Sequence, residues 1–262
     1  MTTVFLGGGR ITSALIAGLR LARYRNPIIV YDRHTDKLQE LRRRYRVRTE
    51  TDLRRAVSSA RLLILAVRPV SVSGLLKEIG KIDRPVAAVS LVAGIPLSAL
   101  KRELGPPVQW ARAMPSPVCR VGHGLTALAF SRMFSATAQS EVRGLFSLVG
   151  PVLEIPEKQF DAFTVTFSSS HGYHALATLS AAAEELGLDR KTARLAAAHA
   201  LADGVLAWRG STLSLDELLR EAATPGGTAA AVIEAMNRSG YQRVVERGLR
   251  AGLKRAQKNA RL

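Results

Sequence analysis

The chain has 262 residues, of which 47% are hydrophobic, and its 38 lysines and arginines against 21 acidic residues give a formal net charge of +17. This length allows one large or two modest domains with a substantial core. No apolar stretch reaches the roughly 18 residues that a membrane span needs, and the first apolar run is too short for a signal-peptide core. The single cysteine, Cys119, excludes an intrachain disulfide. We therefore predict a cytoplasmic protein with no membrane partner.

The high positive charge raises the alternative of a nucleic-acid-binding protein. The cations are scattered along the chain rather than gathered in one block, and aromatic residues make up only 5% of it. This pattern favours solvated helix faces, with some of the charge attracting an anionic cofactor and substrate. We predict no nucleic-acid partner.

Short apolar runs alternate with helical patterns in the first part of the chain. Runs that predict strands lie at residues 3–6, 28–31, 62–67 and 86–91. Helical spacing follows the first two runs, over residues 11–21 and 35–45. Apolar strands without alternation indicate a parallel sheet that is covered on both faces. The fold class predicted for residues 1–156 is an α/β, doubly wound Rossmann domain.

After Pro156 the sequence becomes rich in alanine and leucine, with helical periodicity. Helices are predicted at residues 175–186, 191–208, 215–223 and 226–237. Ser214 and Glu217 form a capping-box pattern at the start of the third of these, and Gly187 and Gly210 stand where helices should end. We predict an all-helical second domain over residues 157–262.

A glycine loop follows the first strand and precedes the first helix, which is the context of a dinucleotide-binding site. Gly7 would make the tight turn, and Gly9 would let the backbone approach a pyrophosphate at the helix N-terminus. Thr12 stands at the third fingerprint position, where glycine or alanine is usual, and this affects helix–strand packing more than phosphate contact. The cofactor contacts predicted in this segment are Gly7, Gly8, Gly9, Arg10 and Ile11.

The end of the second strand carries conflicting signals about the cofactor. Asp32 stands where an acid would bond the adenine ribose hydroxyls and favour NAD. Arg33, His34 and Lys37 follow at once, and cations there would hold a 2′-phosphate. An ordinary strand-to-helix turn is an alternative role for Asp32. The sequence predicts NAD(P)H without choosing between the two forms, with Asp32 and Arg33 as contacts.

Several stretches resemble Δ1-pyrroline-5-carboxylate reductase, the last enzyme of proline biosynthesis. In chain order they are Phe5–Gly9, Leu65–Pro69, Val92–Ile95, Arg112–Pro115, Asp161–Thr164, Gly187–Arg190 and Thr224–Thr228. The resemblance implies NAD(P)H-dependent reduction of the cyclic imine carboxylate to L-proline. It also implies that the helical domain builds a homodimer or higher homo-oligomer, and that the cofactor is contacted by Ala66, Val67, Arg68 and Pro69, with Arg68 at the family's lysine position.

Departures from this family fall in the stretches that face the substrate. The segment after Met114-Pro115 is one residue short and lacks the family's asparagine, and Ala229 stands where the family usually carries threonine. Two alternatives therefore stay open. One is a related imine or keto-acid reductase with a different substrate, and the other is a catalytically silent nucleotide-binding protein.

Reduction of a cyclic imine needs a hydride, a proton on nitrogen and a cradle for the carboxylate. Hydroxyls and free amides at a helix N-terminus suit the carboxylate, although helix capping is an alternative use of the same residue types. The predicted substrate contacts are Ser168, Ser169 and Ser170, before a helix expected to begin near Tyr173, together with Gly226, Gly227 and Thr228.

Four residues are predicted to take part in catalysis: Thr228, Ser169, His171 and Tyr173. A histidine can protonate an imine or bind an acid, and a tyrosine can donate a hydrogen bond or stack. For His171 and Tyr173 the alternative is an ordinary position at a helix start. The histidine spacing and the single cysteine suggest no metal site.

Overall fold

A computed structural model describes residues 2–260, which form one eight-stranded sheet and a series of helices. The strands are β1 (Thr3–Leu6), β2 (Ile28–Tyr31), β3 (Arg48–Glu50), β4 (Leu62–Leu65), β5 (Val86–Ser90), β6 (Val108–Pro115), β7 (Thr126–Phe130) and β8 (Val152–Glu154). The first helices are α1 (Arg10–Leu21), α2 (Thr35–Tyr45), α3 (Leu53–Ser58), α4 (Val72–Ile79), α5 (Leu97–Glu103), α6 (Ala136–Ser147) and α7 (Glu157–Thr166). They are followed by α8 (Ser169–Glu185), α9 (Arg190–Gly210), α10 (Leu215–Ala222), α11 (Thr228–Arg238) and α12 (Tyr241–Asn259).

The strand order β3-β2-β1-β4-β5-β6-β7-β8 confirms the predicted doubly wound Rossmann sheet. Strands β1 to β6 are parallel, but β7 pairs antiparallel with β6, and β8 runs parallel to β7. The expectation of a parallel sheet is therefore wrong for the last two strands. Residues 116–125 between β6 and β7 hold only a short 3-10 helix and a turn, which is too little chain for the crossover that a parallel pair needs.

Each apolar strand buries side chains on both faces of the sheet, which explains why apolar and polar residues do not alternate in these runs. Phe5 of β1 packs in a cluster with residues of α1, α2 and α6. Its neighbours Val4 and Leu6 pack in a second cluster with residues of α3, α4 and α5. Because both faces are buried, an apolar residue is favoured at every position of the strand.

The crossing of α1 over the 3-10 helix Pro117–Val121 depends on a glycine inside α1. A Cβ on Gly18 would lie 2.0 Å from the carbonyl oxygen of Cys119 and 2.9 Å from Cγ1 of Val149. The side chain of Cys119 is buried, and burial raises the pKa of its thiol to about 11, against the lowering influence of Arg120. A thiol that stays protonated is a packing group rather than a nucleophile.

The chain divides into two compact units. The first runs up to Phe167 and takes in the chain from Gly252 onward, and the second is Ser168–Ala251. Inside the first unit, the end of α12 packs on the turn after β5, where a Cβ on Gly94 would lie 2.4 Å from the carbonyl oxygen of Ala256. The predicted boundary between two domains after residue 156 stays a prediction.

The second unit is all-helical, as predicted, and contains α8 to α11 with the first part of α12. The capping box of Ser214 and Glu217 is present at the start of α10. Among residues 168–251 the only buried positions are Ser180, Ala193 and Ala197. This unit therefore has very little core of its own. No helix within residues 2–260 has both the length and the apolar character to cross a bilayer.

Candidate active site

A cleft of about 780 Å³ lies in the first unit, beside the carboxyl ends of β1, β2 and β4. Ligands of doubly wound folds bind at this edge of the sheet. The residues that line the cleft are Gly7, Gly9, Tyr31, Asp32, Arg33, His34, Lys37, Ala66, Val67, Arg68, Val70, Ser71, Gly74, Leu75 and Glu78.

The glycine loop leaves an open space above the N-terminus of α1. Gly7 has φ +112°, and a Cβ there would lie 2.7 Å from the carbonyl oxygen of Ala66, so this position requires glycine. A Cβ on Gly9 would meet no atom within 4 Å. Gly9 is also the N-cap of α1, and no side chain caps the helix. The first amides of α1 thus face free space, which fits an anionic pyrophosphate.

Thr12 at the third fingerprint position ties the helix to the loop. Its side chain is fully buried, and its Oγ1 donates a hydrogen bond of 2.6 Å to the carbonyl oxygen of Gly7. The hydroxyl therefore stabilises the turn at Gly7 from inside the fold rather than facing the cleft.

Asp32 is held by the chain itself on both carboxylate oxygens. Oδ2 accepts a hydrogen bond of 2.8 Å from the amide of Gly8, while Oδ1 accepts one of 2.9 Å from the amide of His34 and lies 2.8 Å from His34 Nδ1. Burial opposes ionisation of this carboxyl, but the hydrogen bonds from His34 and Gly8 and the nearby Lys37 lower its pKa below the ordinary value. Asp32 therefore carries its charge at neutral pH and fixes the second glycine of the loop.

Most predicted cofactor contacts line the cleft, namely Gly7, Gly9, Asp32, Arg33, Ala66, Val67 and Arg68. Gly8, Arg10, Ile11 and Pro69 are neighbours in sequence but do not line it. Residues that the sequence analysis did not select also line it, among them Ser71 just before α4 and Gly74 and Glu78 within α4. Their signal was their position just after Pro69, which the resemblance to a known family already placed at the site.

Two of the three predicted serines, Ser169 and Ser170, lie within a helix rather than before one. Helix α8 begins at Ser169, not near Tyr173. Ser168 is its N-cap, with an Oγ that accepts from the amide of Ser170 at 3.4 Å and lies 2.7 Å from Ser170 Oγ. These contacts fit the capping alternative for Ser168, while the substrate role of the three serines stays a prediction.

Gly226, Gly227 and Thr228 form the uncapped start of α11. Gly226 has φ +78°, the amide of Gly227 donates to the carbonyl oxygen of Thr224 at 2.9 Å, and Thr228 is the first helical residue. No side chain caps this helix. Its first amides and the exposed Thr228 are therefore available to a carboxylate.

The remaining candidates of the second unit, His171 and Tyr173, lie near the start of α8. The amide of His171 donates to the carbonyl oxygen of Ser168 at 3.0 Å within the first turn of α8, and Tyr173, two residues later, is 69% exposed. His199 lies 3.1 Å from Asp203 on the same helix. Within residues 2–260, no cluster of three or more His, Cys, Asp or Glu side chains is arranged to hold a metal ion.

Comparison with known proteins finds a family model for the first part of the chain and another for the last part. Residues 2–94 match the family model described as "NADP oxidoreductase coenzyme F420-dependent", and residues 157–259 match "Pyrroline-5-carboxylate reductase dimerisation". A pyrroline-5-carboxylate reductase of Corynebacterium melassecola is 34% identical, with 96% of each chain covered. The chain belongs to the pyrroline-5-carboxylate reductase family. The family member of Mycobacterium tuberculosis H37Rv is 30% identical over 96% of this chain and 94% of its own.

Solved structures of this family share the fold. The 1-pyrroline-5-carboxylate reductase of Streptococcus pyogenes has a TM-score of 0.90 at 23% identity, with 98% of each chain covered. The pyrroline carboxylate reductase of Plasmodium falciparum, solved with NADP bound, has a TM-score of 0.88 at 18% identity, covering 99% of this chain and 98% of its own.

Replacing Gly9 with alanine is expected to weaken NAD(P)H binding at least about tenfold while leaving the fold intact. The added methyl would stand in the open space above α1, where the pyrophosphate is expected, and would meet no protein atom. Titration of purified protein by calorimetry would measure the dissociation constant. Gly144→Ala, an equally unobstructed helical glycine, is the matched control; an unchanged affinity in Gly9→Ala would place the pyrophosphate elsewhere.

Proposed function

We propose that this chain catalyses the NAD(P)H-dependent reduction of Δ1-pyrroline-5-carboxylate to L-proline. The observation that carries the proposal is the full-length match to pyrroline-5-carboxylate reductases at up to 34% identity. The glycine loop and the cleft beside it support the cofactor half. When bound, the reduced nicotinamide supplies a hydride to the imine carbon, while the imine nitrogen takes up a proton.

The glycine loop and its surroundings would hold the cofactor. The uncapped amides of α1 above Gly9 suit the pyrophosphate, because the positive end of the helix dipole faces an anion there. Val67 and Arg68 at the end of β4 line the same cleft, and Arg68 adds a cation to the wall. Together these groups would fix the cofactor. The residues that bind the substrate would then place its reactive ring.

The start of α11 is the proposed cradle for the substrate carboxylate. Thr228 and the amides that follow Gly226 and Gly227 present several donors at one helix end, and no side chain competes for them. The carboxylate would be held by charge-assisted hydrogen bonds, so that the imine is oriented for reduction. Ser169, His171 and Tyr173 are proposed to stand near the same substrate, with His171 as a candidate proton donor.

A related imine reductase with another substrate is the second candidate. It is favoured by Ala229, which replaces the threonine usual in this family, and by the shortened segment after Pro115. A pocket that loses one hydroxyl accepts a substrate with fewer polar groups at that position.

The deciding experiment mixes purified protein with Δ1-pyrroline-5-carboxylate and follows the loss of NADPH and of NADH absorbance in parallel, with proline identified by mass spectrometry. Proline formation would establish the reaction. Cofactor binding without proline, followed by turnover of another cyclic imine or keto acid, would establish the second candidate. Cofactor binding with no turnover of any such compound would indicate a catalytically silent protein.

A homodimer or higher homo-oligomer is the proposed assembly. The second unit exposes large apolar side chains along its helices, at Leu195, Val205, Leu206, Trp208, Val232 and Val244 among others. A helical surface of this kind needs a partner, and the family model that matches it is named for dimerisation. Sedimentation of the purified chain would then give at least twice its 28.3 kDa.

Replacing Thr228 with alanine is expected to lower kcat/KM for the imine by about 10- to 100-fold, because one hydrogen bond to a charged carboxylate contributes about 1.5–3 kcal/mol. The cofactor dissociation constant should not change, and Thr228→Ser should recover most of the activity. Thr192→Ala at the start of α9 is the matched control, since that hydroxyl bonds Asp189. A Thr228→Ala enzyme with normal kcat/KM would remove Thr228 from the site.

A further inference from the structure

A second cavity of the first unit lies at the other end of the sheet from the cofactor cleft and shares no lining residue with it. Its volume is about 440 Å³, and it is bounded by the ends of β7 and β8 and by α6. The pairing of these two strands ends with Leu128 and Glu154, whereas β7 continues to Phe130. Pro156 follows β8 closely and leads the chain into α7. The end of β7 is therefore left without a neighbouring strand on this side, and the cavity lies in that place.

A buried hydroxyl at this cavity has no hydrogen-bond partner. Ser131, the first residue after β7, lines the cavity and is 5% exposed, and its Oγ makes no hydrogen bond within residues 2–260. Its backbone is engaged, since its amide donates to the carbonyl oxygen of Trp110 at 3.2 Å and its carbonyl oxygen accepts from the amide of Phe134 at 2.9 Å. Buried polar atoms almost always have a partner, and an unpaired one costs stability. Rotation about the Cα–Cβ bond would bring the hydroxyl to a ligand in the cavity, which would supply that partner.

The cavity also carries one cation that no acid neutralises. Arg143 of α6 donates to both carboxylate oxygens of Glu154 and to Oε1 of Gln139 at 2.8 Å, so these three side chains satisfy one another. Arg132 lines the cavity, is exposed, and forms no ion pair with an acid of residues 2–260. Its guanidinium is therefore free to bind an anion beside a carboxylate that is already paired.

The remaining walls of the cavity are apolar. They are formed by Leu128, Phe130, Ile155 and Pro156. The ring of Phe130 is held in place, since its centroid lies 5.1 Å from that of Phe134 and 5.3 Å from the guanidinium carbon of Arg143. Apolar walls with a few polar groups at one end are typical of sites for small organic molecules, and a fixed ring costs little further ordering when a ligand packs on it.

We propose that this cavity binds a small organic monocarboxylate, with the carboxylate on Arg132 and the hydroxyl of Ser131 and with the apolar body against Phe130. A guanidinium can offer a carboxylate two parallel donors. A phosphate ester fits less well, because its second negative charge would face Glu154. An amino acid gains little from its ammonium group, since Arg143 already occupies both oxygens of Glu154. The site lies outside the cofactor cleft, and the inference does not depend on the proposed function.

The test is a binding titration that does not depend on turnover. Purified protein is titrated with 4-fluorobenzoate, and binding is followed by fluorine NMR. The acid is expected to bind at least about tenfold more tightly than the neutral 4-fluorobenzamide, because a hydrogen bond between charged groups is stronger than a neutral one. For the same reason Arg132→Ala should weaken the acid at least about tenfold. Arg102→Ala, at an exposed and unpaired arginine of α5, is the matched control and should leave the affinity unchanged.

Ser131→Ala tests the hydroxyl separately. It should weaken 4-fluorobenzoate about fivefold without lowering the urea midpoint of the unliganded protein, because the hydroxyl has no internal hydrogen bond to lose. Thr228→Ala should not change the affinity for the probe, which distinguishes this cavity from the proposed carboxylate cradle at the start of α11.

Four results would overturn the inference: no binding of 4-fluorobenzoate, equal affinities for the acid and the amide, an affinity that Arg132→Ala leaves unchanged, or loss of binding in Thr228→Ala. Failure of the proposed reaction would be distinct from all of these, since it would appear as an absence of proline in the reductase assay whether or not this cavity binds the probe.

Discussion

Replacing Asp161 with alanine is expected to lower the free energy of unfolding by about 3–5 kcal/mol, because it leaves a buried guanidinium without its main partner. Arg112 of β6 is 1% exposed, and its Nη2 lies 2.5 Å from Asp161 Oδ1 of α7. Its guanidinium also stacks over the ring of Phe160, with the central carbon 4.2 Å from the ring centroid. Only Glu157, at 4.0 Å, would remain to balance the charge. Urea unfolding of the variant and the parent protein would measure the difference.

A double variant distinguishes the cost of a buried charge from the loss of packing. Arg112→Met in the Asp161→Ala background removes the charge and keeps most of the side-chain volume, so a large part of the lost stability should return. Asp203→Ala is the control, because Asp203 pairs with His199 on an exposed helix face, and its change should stay within about 0.5 kcal/mol. A loss below about 1 kcal/mol in Asp161→Ala would mean that α7 is held by apolar packing alone.

Local signals in the sequence identified the elements whose formation depends on neighbouring residues. The apolar run Thr3–Leu6 and the glycines after it predicted both the first strand and the turn that follows. Ser214 and Glu217 predicted a helix start from a contact between residues three positions apart. In each case the interaction that stabilises the element joins residues only a few positions apart. The pattern can therefore be recognised in the sequence before the fold is known.

Elements stabilised by distant parts of the chain escaped prediction. Strand β3 (Arg48–Glu50) is polar and lies at the edge of the sheet, so no apolar run marks it. The reversed direction of β7 depends on the short connection after β6 and on the strand already in place beside it. Helix α12 is rich in arginine and lacks the alanine pattern that marked the other helices of the second half.

The same difference between local and distant interactions decided which features of the candidate site could be predicted. The glycine loop and Arg33 were found from sequence, since their spacing relative to the first two strands is fixed by the fold class. The hydrogen bond from Gly8 to Asp32 was not, because it joins two loops that meet only after the strands pair. That contact gives Asp32 a structural role in the glycine loop, while its role as a cofactor ligand stays a prediction.

Alanine in place of Gly18 is expected to destabilise the protein by about 2–3 kcal/mol, although alanine is the better helix former. The Cβ would lie 2.0 Å from the carbonyl oxygen of Cys119, and backbone atoms cannot rotate away as a side chain would. Helix α1 would have to move off the 3-10 helix beneath it, leaving gaps beside Val149 that were filled before. Thermal and urea unfolding would measure the loss.

The same change at Gly144 of α6 should act in the opposite direction. A Cβ there meets no atom within 4 Å, so Gly144→Ala is expected to stabilise the protein by about 0.5–1 kcal/mol through helix propensity. Because Gly9 is the N-cap of α1, a displaced α1 in Gly18→Ala should also weaken cofactor binding severalfold, which Gly144→Ala should not do. Equal stability changes in the two variants would show that α1 does not pack on the Cys119 carbonyl. A Gly18→Ala protein that is less stable yet binds cofactor normally would show that the loop keeps its geometry independently of the far end of its helix.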